Sequence, residues 1–196
     1  MILLDISVFA TSDANWSLGL DPYVQGANQY LSPFNMRLNV HPLRPTTPPL
    51  TLPLLGPIFD PPPDDNPFAP RPGDVRSLAQ VALPQQRGIA VIFCKFSRSD
   101  AGLTTFTEDT AANRGIAWKN YCMINESRLN SDHAALLHEL IHAADYIGDT
   151  DFVGPRLVHD LDQRSIMRAN PNPILPPTVF DRHALALEGA YFARPT

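Results

Sequence analysis

The segment His138-Glu139-Leu140-Ile141-His142 combines residue types and a spacing that can do chemistry. On a helix, residues four apart lie one turn apart on the same face. Two imidazoles placed that way can converge on one tetrahedral zinc ion. The glutamate between them does not bind the metal in such a motif; it faces the water held there and takes its proton. The chemistry is metal-assisted hydrolysis. The flanking residues agree with a helix: Leu137, Ile141 and Ala144 share one face, and Leu136, Leu140 and Ala143 lie on adjoining ones. A helix that is apolar nearly all round belongs in the interior. Two histidines and a glutamate on it are costly unless they are paired or bind metal. The plainer reading is a pair of satisfied core histidines beside a salt-bridged glutamate.

A catalytic zinc takes three protein ligands and keeps a fourth position for water. The candidates for the third are His159, Glu188 on the last apolar segment, and an aspartate, Asp145, Asp149 or Asp160. The remaining histidines, His41, His133 and His183, read as structural or exposed.

Ser165-Ile166-Met167 resembles the Met-turn of the metzincins, the clan that includes matrixins and astacins. The usual pattern of that clan is HExxHxxGxxH/D. Here its glycine position is Asp145 and its third-ligand position is Gly148. His159 lies eight residues before Met167, which resembles the matrixin spacing from last ligand to Met-turn. The resemblance implies an insertion of about residues 145–158 between the second and third ligands, with Gly148 or Gly154 turning the chain. It implies zinc on His138, His142 and His159, Glu139 as general base, and endopeptidase activity by a Glu-activated, zinc-bound water. The tyrosine that some metzincins place two residues after the methionine is replaced by Ala169, which leaves an auxiliary oxyanion donor unassigned. HELIHAADY also resembles some gluzincin helices, and that resemblance makes Glu188 the third ligand. Peptide deformylases carry HExxH with a cysteine ligand, and Cys122 is the upstream cysteine nearest the motif. A non-catalytic zinc-stabilised binding module would close the metal with four protein ligands.

The elements that must position these residues read as follows. ILLDISVF (2–9), MRLNVHPL (36–43), GIAVIFCKF (88–96) and GIAWKNYCMINES (115–127) read as strands, the third apolar enough to be central. Residues 22–32 read as a helix opened by Asp21 and Pro22. Asp74 can cap a helix to about Val81, and Asn130 or Ser131 can cap the HExxH helix, with Asp132 at its positive end. Residues 180–193 form a last helix. Twelve prolines fall between Pro42 and Pro72. Proline fixes φ and lacks an N–H, so this stretch is an insertion and no inner strand. Asp64-Asp65-Asn66 within it reads as a turn. The expected fold class is α+β, a metzincin-like twisted mixed sheet with a buried HExxH helix and a C-terminal helix. It forms a single catalytic domain over 1–196, with 1–142 above the cleft and 143–196 below. The substrate, a protein or peptide, is expected to lie extended along an edge strand around 115–127.

The chain has 196 residues, 44% of them hydrophobic, which is enough for a real core. Its net charge is −5 with no Lys/Arg cluster, which gives no support to nucleic-acid binding. No apolar run approaches the roughly 20 residues that span a bilayer. The first residues lack the basic start of a secretory signal, so the expectation is a cytoplasmic protein, or one exported with its leader removed or by another route. Cys94 and Cys122 suit either a disulfide or two buried thiols.

Overall fold

Runs of Val, Ile and Leu that suit a pleated surface build the centre of the molecule. The computed structural model describes residues 1–11, 21–46, 51–52, 88–96, 102–104, 121–125, 134–150, 158–169 and 176–196. In order they form β1 (Ile2–Thr11), α1 (Asp21–Leu31), a 3-10 turn (Ser32–Phe34), β2 (Met36–Thr46), β3 (Thr51–Leu52), β4 (Ile89–Phe96), β5 (Gly102–Thr104), β6 (Tyr121–Asn125), α2 (Ala135–Ala143), α3 (Asp181–Gly189) and β7 (Ala193–Pro195). The spatial order is β2-β1-β4-β6-β5, with β3 beside the end of β4 and β7 beside the start of β1. The β1–β2, β1–β4, β3–β4 and β4–β6 pairs are parallel; β5–β6 and β1–β7 are antiparallel. The protein is therefore a mixed α/β structure on a largely parallel sheet. No helix among the described residues is long and apolar enough to cross a membrane.

The core follows from alternation. Leu4, Ile6 and Val8 of β1 meet Ile89, Val91 and Phe93 of β4 and Cys122 and Ile124 of β6 on one side of the sheet. Tyr23, Ala27 and Leu31 of α1 and Leu136, Leu137, Leu140 and Ile141 of α2 close over them. Each fully buried Leu or Ile contributes about 1.5–3 kcal/mol over exposure. Four such residues in nine make α2 a helix held by packing, since its N-cap, Ala134, makes no side-chain cap bond. Asn130, Ser131 and Asp132, expected to cap it, lie outside the described residues, as do the helix expected over 74–81, His133 and the turn at 64–66.

Three expectations change. β2 runs on through Pro42 and Pro45 to Thr46, so the proline-rich stretch begins inside a strand. It can do so because β2 is the outer strand on that side among the described residues. Pro42 also falls at a register shift, where Ser7 pairs with His41 and Phe9 with Arg44. The stretch returns to the sheet at β3. Second, the strand within 115–127 is no edge: β6 lies between β4 and β5, and β5 is outermost among the described residues. Third, the last helix stops at Gly189, and the chain then forms β7, three residues too short to show a period. There Arg194 donates to Asp5 at 2.6 Å, and Asn39 donates to the other oxygen of the same carboxylate.

Past α2 the chain turns sharply. Asp145 adopts φ +56°, the left-handed conformation, with its N–H on the His142 carbonyl at 3.0 Å. That is the usual way to end a helix, and glycine is its usual residue. Asp145 stands where the HExxHxxG pattern has glycine, and its backbone adopts the conformation that glycine supplies. A short polar side chain tolerates this conformation better than alanine does. Asp145→Gly should therefore be more stable than Asp145→Ala by about 1 kcal/mol, measured by urea unfolding of the two variants.

Candidate metal centre

α2 sets His138 and His142 one turn apart, and their rings approach edge to face with centroids 4.6 Å apart. The two Nε2 atoms face each other at 2.9 Å. His138 Nδ1 lies 2.7 Å from the carbonyl of Ile166. A carbonyl only accepts, so Nδ1 carries the proton and Nε2 presents its lone pair. Outer hydrogen bonds of this kind aim a metal-ligating imidazole. His142 is buried, and burial, followed by the repulsion that protonated His138 and His159 would exert on a second charge, holds it well below the ordinary imidazole pKa. It stays neutral and able to ligate.

His159 arrives from a distant part of the chain. Its N–H donates to the Thr150 carbonyl at 2.7 Å and its carbonyl accepts the Thr150 N–H at 2.8 Å. The two residues thus form an isolated antiparallel bridge. The backbones come so near that a Cβ on Gly148 would stand 2.1 Å from the His159 carbonyl oxygen and 2.8 Å from its nitrogen. Gly148 occupies the family pattern's third-ligand position, and here it makes room for the backbone of His159. One ligating atom each from His138, His142 and His159 lie within 4.8 Å of one another, a group that could hold a metal ion. The other candidates lie elsewhere: Glu188, Asp145 and Asp149 are exposed, and Cys122 is a buried free thiol on β6. The side chain of Cys94 is outside the described residues.

Beneath the histidines runs the segment from His159 to Met167. Met167 is fully buried, its N–H donates to Ser165 Oγ at 3.0 Å, and its carbonyl accepts the Asp160 N–H at 3.0 Å. The tight turn places the Ile166 carbonyl under His138. Asp160 lies outside that group of three. It is the centre of a buried network that sequence reasoning missed. Its Oδ1 accepts from Tyr146 at 2.6 Å; its Oδ2 accepts from Ser165 at 2.5 Å, Arg182 at 2.7 Å and His183 at 2.9 Å. His183 Nδ1 accepts the Phe180 N–H at 3.1 Å, so the proton facing Asp160 is on Nε2. His183 is therefore structural, as expected. Arg182 Nε also donates to the Tyr146 hydroxyl at 2.7 Å. Asp160 is fully buried, and burial alone would raise its pKa; the hydrogen bonds of Ser165, Tyr146, Arg182 and His183 outweigh that and bring it to about 2. His41, likewise read as structural or exposed, lies 3.4 Å from Asp5.

Glu139 is buried, 5% exposed. Its Oε2 accepts from the Thr104 hydroxyl at 2.6 Å. Thr104 and Gly102 belong to β5, which lies in a polar stretch too short in pattern to be seen in the sequence.

No family model and no curated protein matches this chain. Solved structures do match, 29 chains in all. Among them, the crystal structure of metalloproteinase-II from Bacteroides fragilis aligns with a TM-score of 0.56 and 11% sequence identity, over 96% of this chain and 53% of that chain. The likeness is one of fold, and this chain spans about half the length of that protein.

Two outcomes follow from this geometry. Gly148→Ala should push His159 away and weaken divalent-metal affinity about 10- to 100-fold in a chelator-competition titration. Asp160 is ionised in the fold below its unfolded pKa, so its contribution is present above pH about 4 and is lost as pH falls towards 2. Asp160→Asn should lower stability by about 3 kcal/mol at neutral pH and flatten the acid limb of a pH series of urea unfolding curves.

Proposed function

We propose that the chain is a zinc-dependent endopeptidase of metzincin type, with His138, His142 and His159 as the metal ligands and Glu139 as general base. The observation that carries this is the convergence of three imidazoles, two of them on the helix that also bears the buried Glu139 carboxylate. The donor set fits the metal. Two Nε2 atoms facing each other at 2.9 Å repel as lone pairs unless a proton or a cation lies between them. Three imidazole nitrogens within 4.8 Å of one another are a donor set that zinc takes. Among the described residues no fourth His, Cys, Asp or Glu joins the group. That favours an open site over the closed site of a structural module. Exposed Glu188 argues against a gluzincin arrangement.

Zinc held by His138, His142 and His159 would polarise the scissile carbonyl and acidify the attacking water. Glu139 takes that water's proton and returns it to the leaving amine. The Ile166 carbonyl holds His138 in the ligating tautomer throughout. Met167, with its short turn, corresponds in this reading to the Met-turn. A protein or peptide substrate would pair in extended form along β5, the outer strand beside Glu139, rather than along residues 115–127. Residues 1–196 would then act as one catalytic domain. The neighbouring fold, carried by a protein named as a metalloproteinase, is consistent with this activity.

The test uses the full chain loaded with zinc. Glu139→Gln should lose at least about 100-fold in turnover of an unfolded protein substrate while keeping one zinc per chain. His159→Ala should lose the zinc. Wild-type cleavage by Glu139→Gln, or full zinc occupancy in His159→Ala, would remove the assignment.

A further inference from the structure

The Thr104 hydroxyl has a single proton and three acceptors in reach: Glu139 Oε2 at 2.6 Å, the Glu139 carbonyl at 3.0 Å and Cys122 Sγ at 3.5 Å. The carboxylate is the nearest and the strongest acceptor, so it takes the proton. Cys122 sits behind, and burial, then the Glu139 charge, keep its thiol well above the ordinary cysteine pKa. It remains protonated and can donate in turn to Thr104 Oγ1. All three groups are buried.

Two residues earlier on the same strand, and so on the same face, stands Gly102. A Cβ there would lie 2.5 Å from Glu139 Cγ, 2.7 Å from Oε1 and 2.9 Å from Cδ. The carboxylate therefore lies over bare backbone at Gly102 and is tied down at Thr104. A hydroxyl donating to Oε2 also makes Oε1 the more basic oxygen.

We propose that β5 positions the general base: Thr104 holds Oε2 of Glu139, and Gly102 leaves the space in which the carboxylate must lie to accept the water's proton. Thr104 and Gly102 are positioning residues that act through Glu139, and the inference depends on the peptidase reading above. Its geometry can nevertheless be read without turnover. Misplacing a catalytic group by about 1 Å costs on the order of 100-fold in rate, so a two-residue clamp of this kind shows in kcat.

The experiment compares zinc-loaded wild type with Thr104→Val, Thr104→Ser and Gly102→Ala. It measures zinc content, kcat and KM on a fluorogenic peptide, and crystal structures of Thr104→Val and Gly102→Ala. Thr104→Val keeps the shape and loses the hydroxyl. It should lower kcat about 10- to 100-fold with KM changed less than about twofold, and full zinc. Thr104→Ser should recover to within about threefold of wild type. In the crystals the carboxylate should move by more than about 0.5 Å, the tolerance of a productive site. Wild-type kcat in Thr104→Val, or turnover lost only together with zinc, overturns the clamp; so does an unmoved carboxylate. If Thr104→Val does not fold, Gly102→Ala decides by the same readouts. If wild type cleaves no better than Glu139→Gln, the peptidase reading fails, and the carboxylate position in the variants still decides whether β5 holds it.

Discussion

Three imidazoles meet in this protein because the backbone of His159 lies directly against Gly148, six residues past His142. The helix alone brings two rings together. A third must come from a segment whose chain has to pass within van der Waals distance of the first. The left-handed turn at Asp145 starts that approach, the missing side chain at Gly148 permits it, and the two backbone bonds between Thr150 and His159 hold it. Tying the two ends of a segment together costs little more for a longer segment than for a shorter one. Closure entropy rises only slowly with loop length, by about 0.6 kcal/mol per doubling.

The same segment needs a second anchor, and Asp160 supplies it. Its carboxylate joins the end of α2 through Tyr146, the tight turn through Ser165, and α3 through Arg182 and His183. A buried carboxylate is costly unless its lone pairs are filled. Here four donors fill them, and the group binds three parts of the chain into one support. The Ile166 carbonyl under His138 depends on this support, as does His159 next door. Elsewhere on α2, β5 meets Glu139 through Thr104. The histidines and the glutamate on one short helix are thus held by two separate structures, a polar knot below and an outer strand beside.

The strands and helices rich in β-branched or periodic residues were readable from the sequence. β1, β4 and α1 lie within two residues of the expected bounds, because each repeats its pattern long enough to register. β5, with Gly-Leu-Thr, and β7, with Ala-Arg-Pro, are three residues long and carry no pattern. Both form only because a neighbouring strand offers hydrogen bonds. β2 continues through two prolines for a related reason: an outer strand has one side where no N–H is needed. Nothing local says which strand will be outermost, so the edge was misplaced onto residues 115–127.

Taken alone, the sequence determined the spacing of His138, Glu139 and His142 and the apolar setting of their helix. Helical periodicity is a local property, written within a few residues. It also supplied His159 and Met167 as a pair at a suggestive distance. The tertiary structure decided that His159 reaches the other two, that Asp160 is the hub of four donors, that Glu188 is exposed, and that Thr104 and Gly102 meet Glu139. These depend on contacts between residues 10 to 40 positions apart along the chain. Such contacts are set by which surfaces pack and where two backbones can touch, and no short stretch of sequence contains that information.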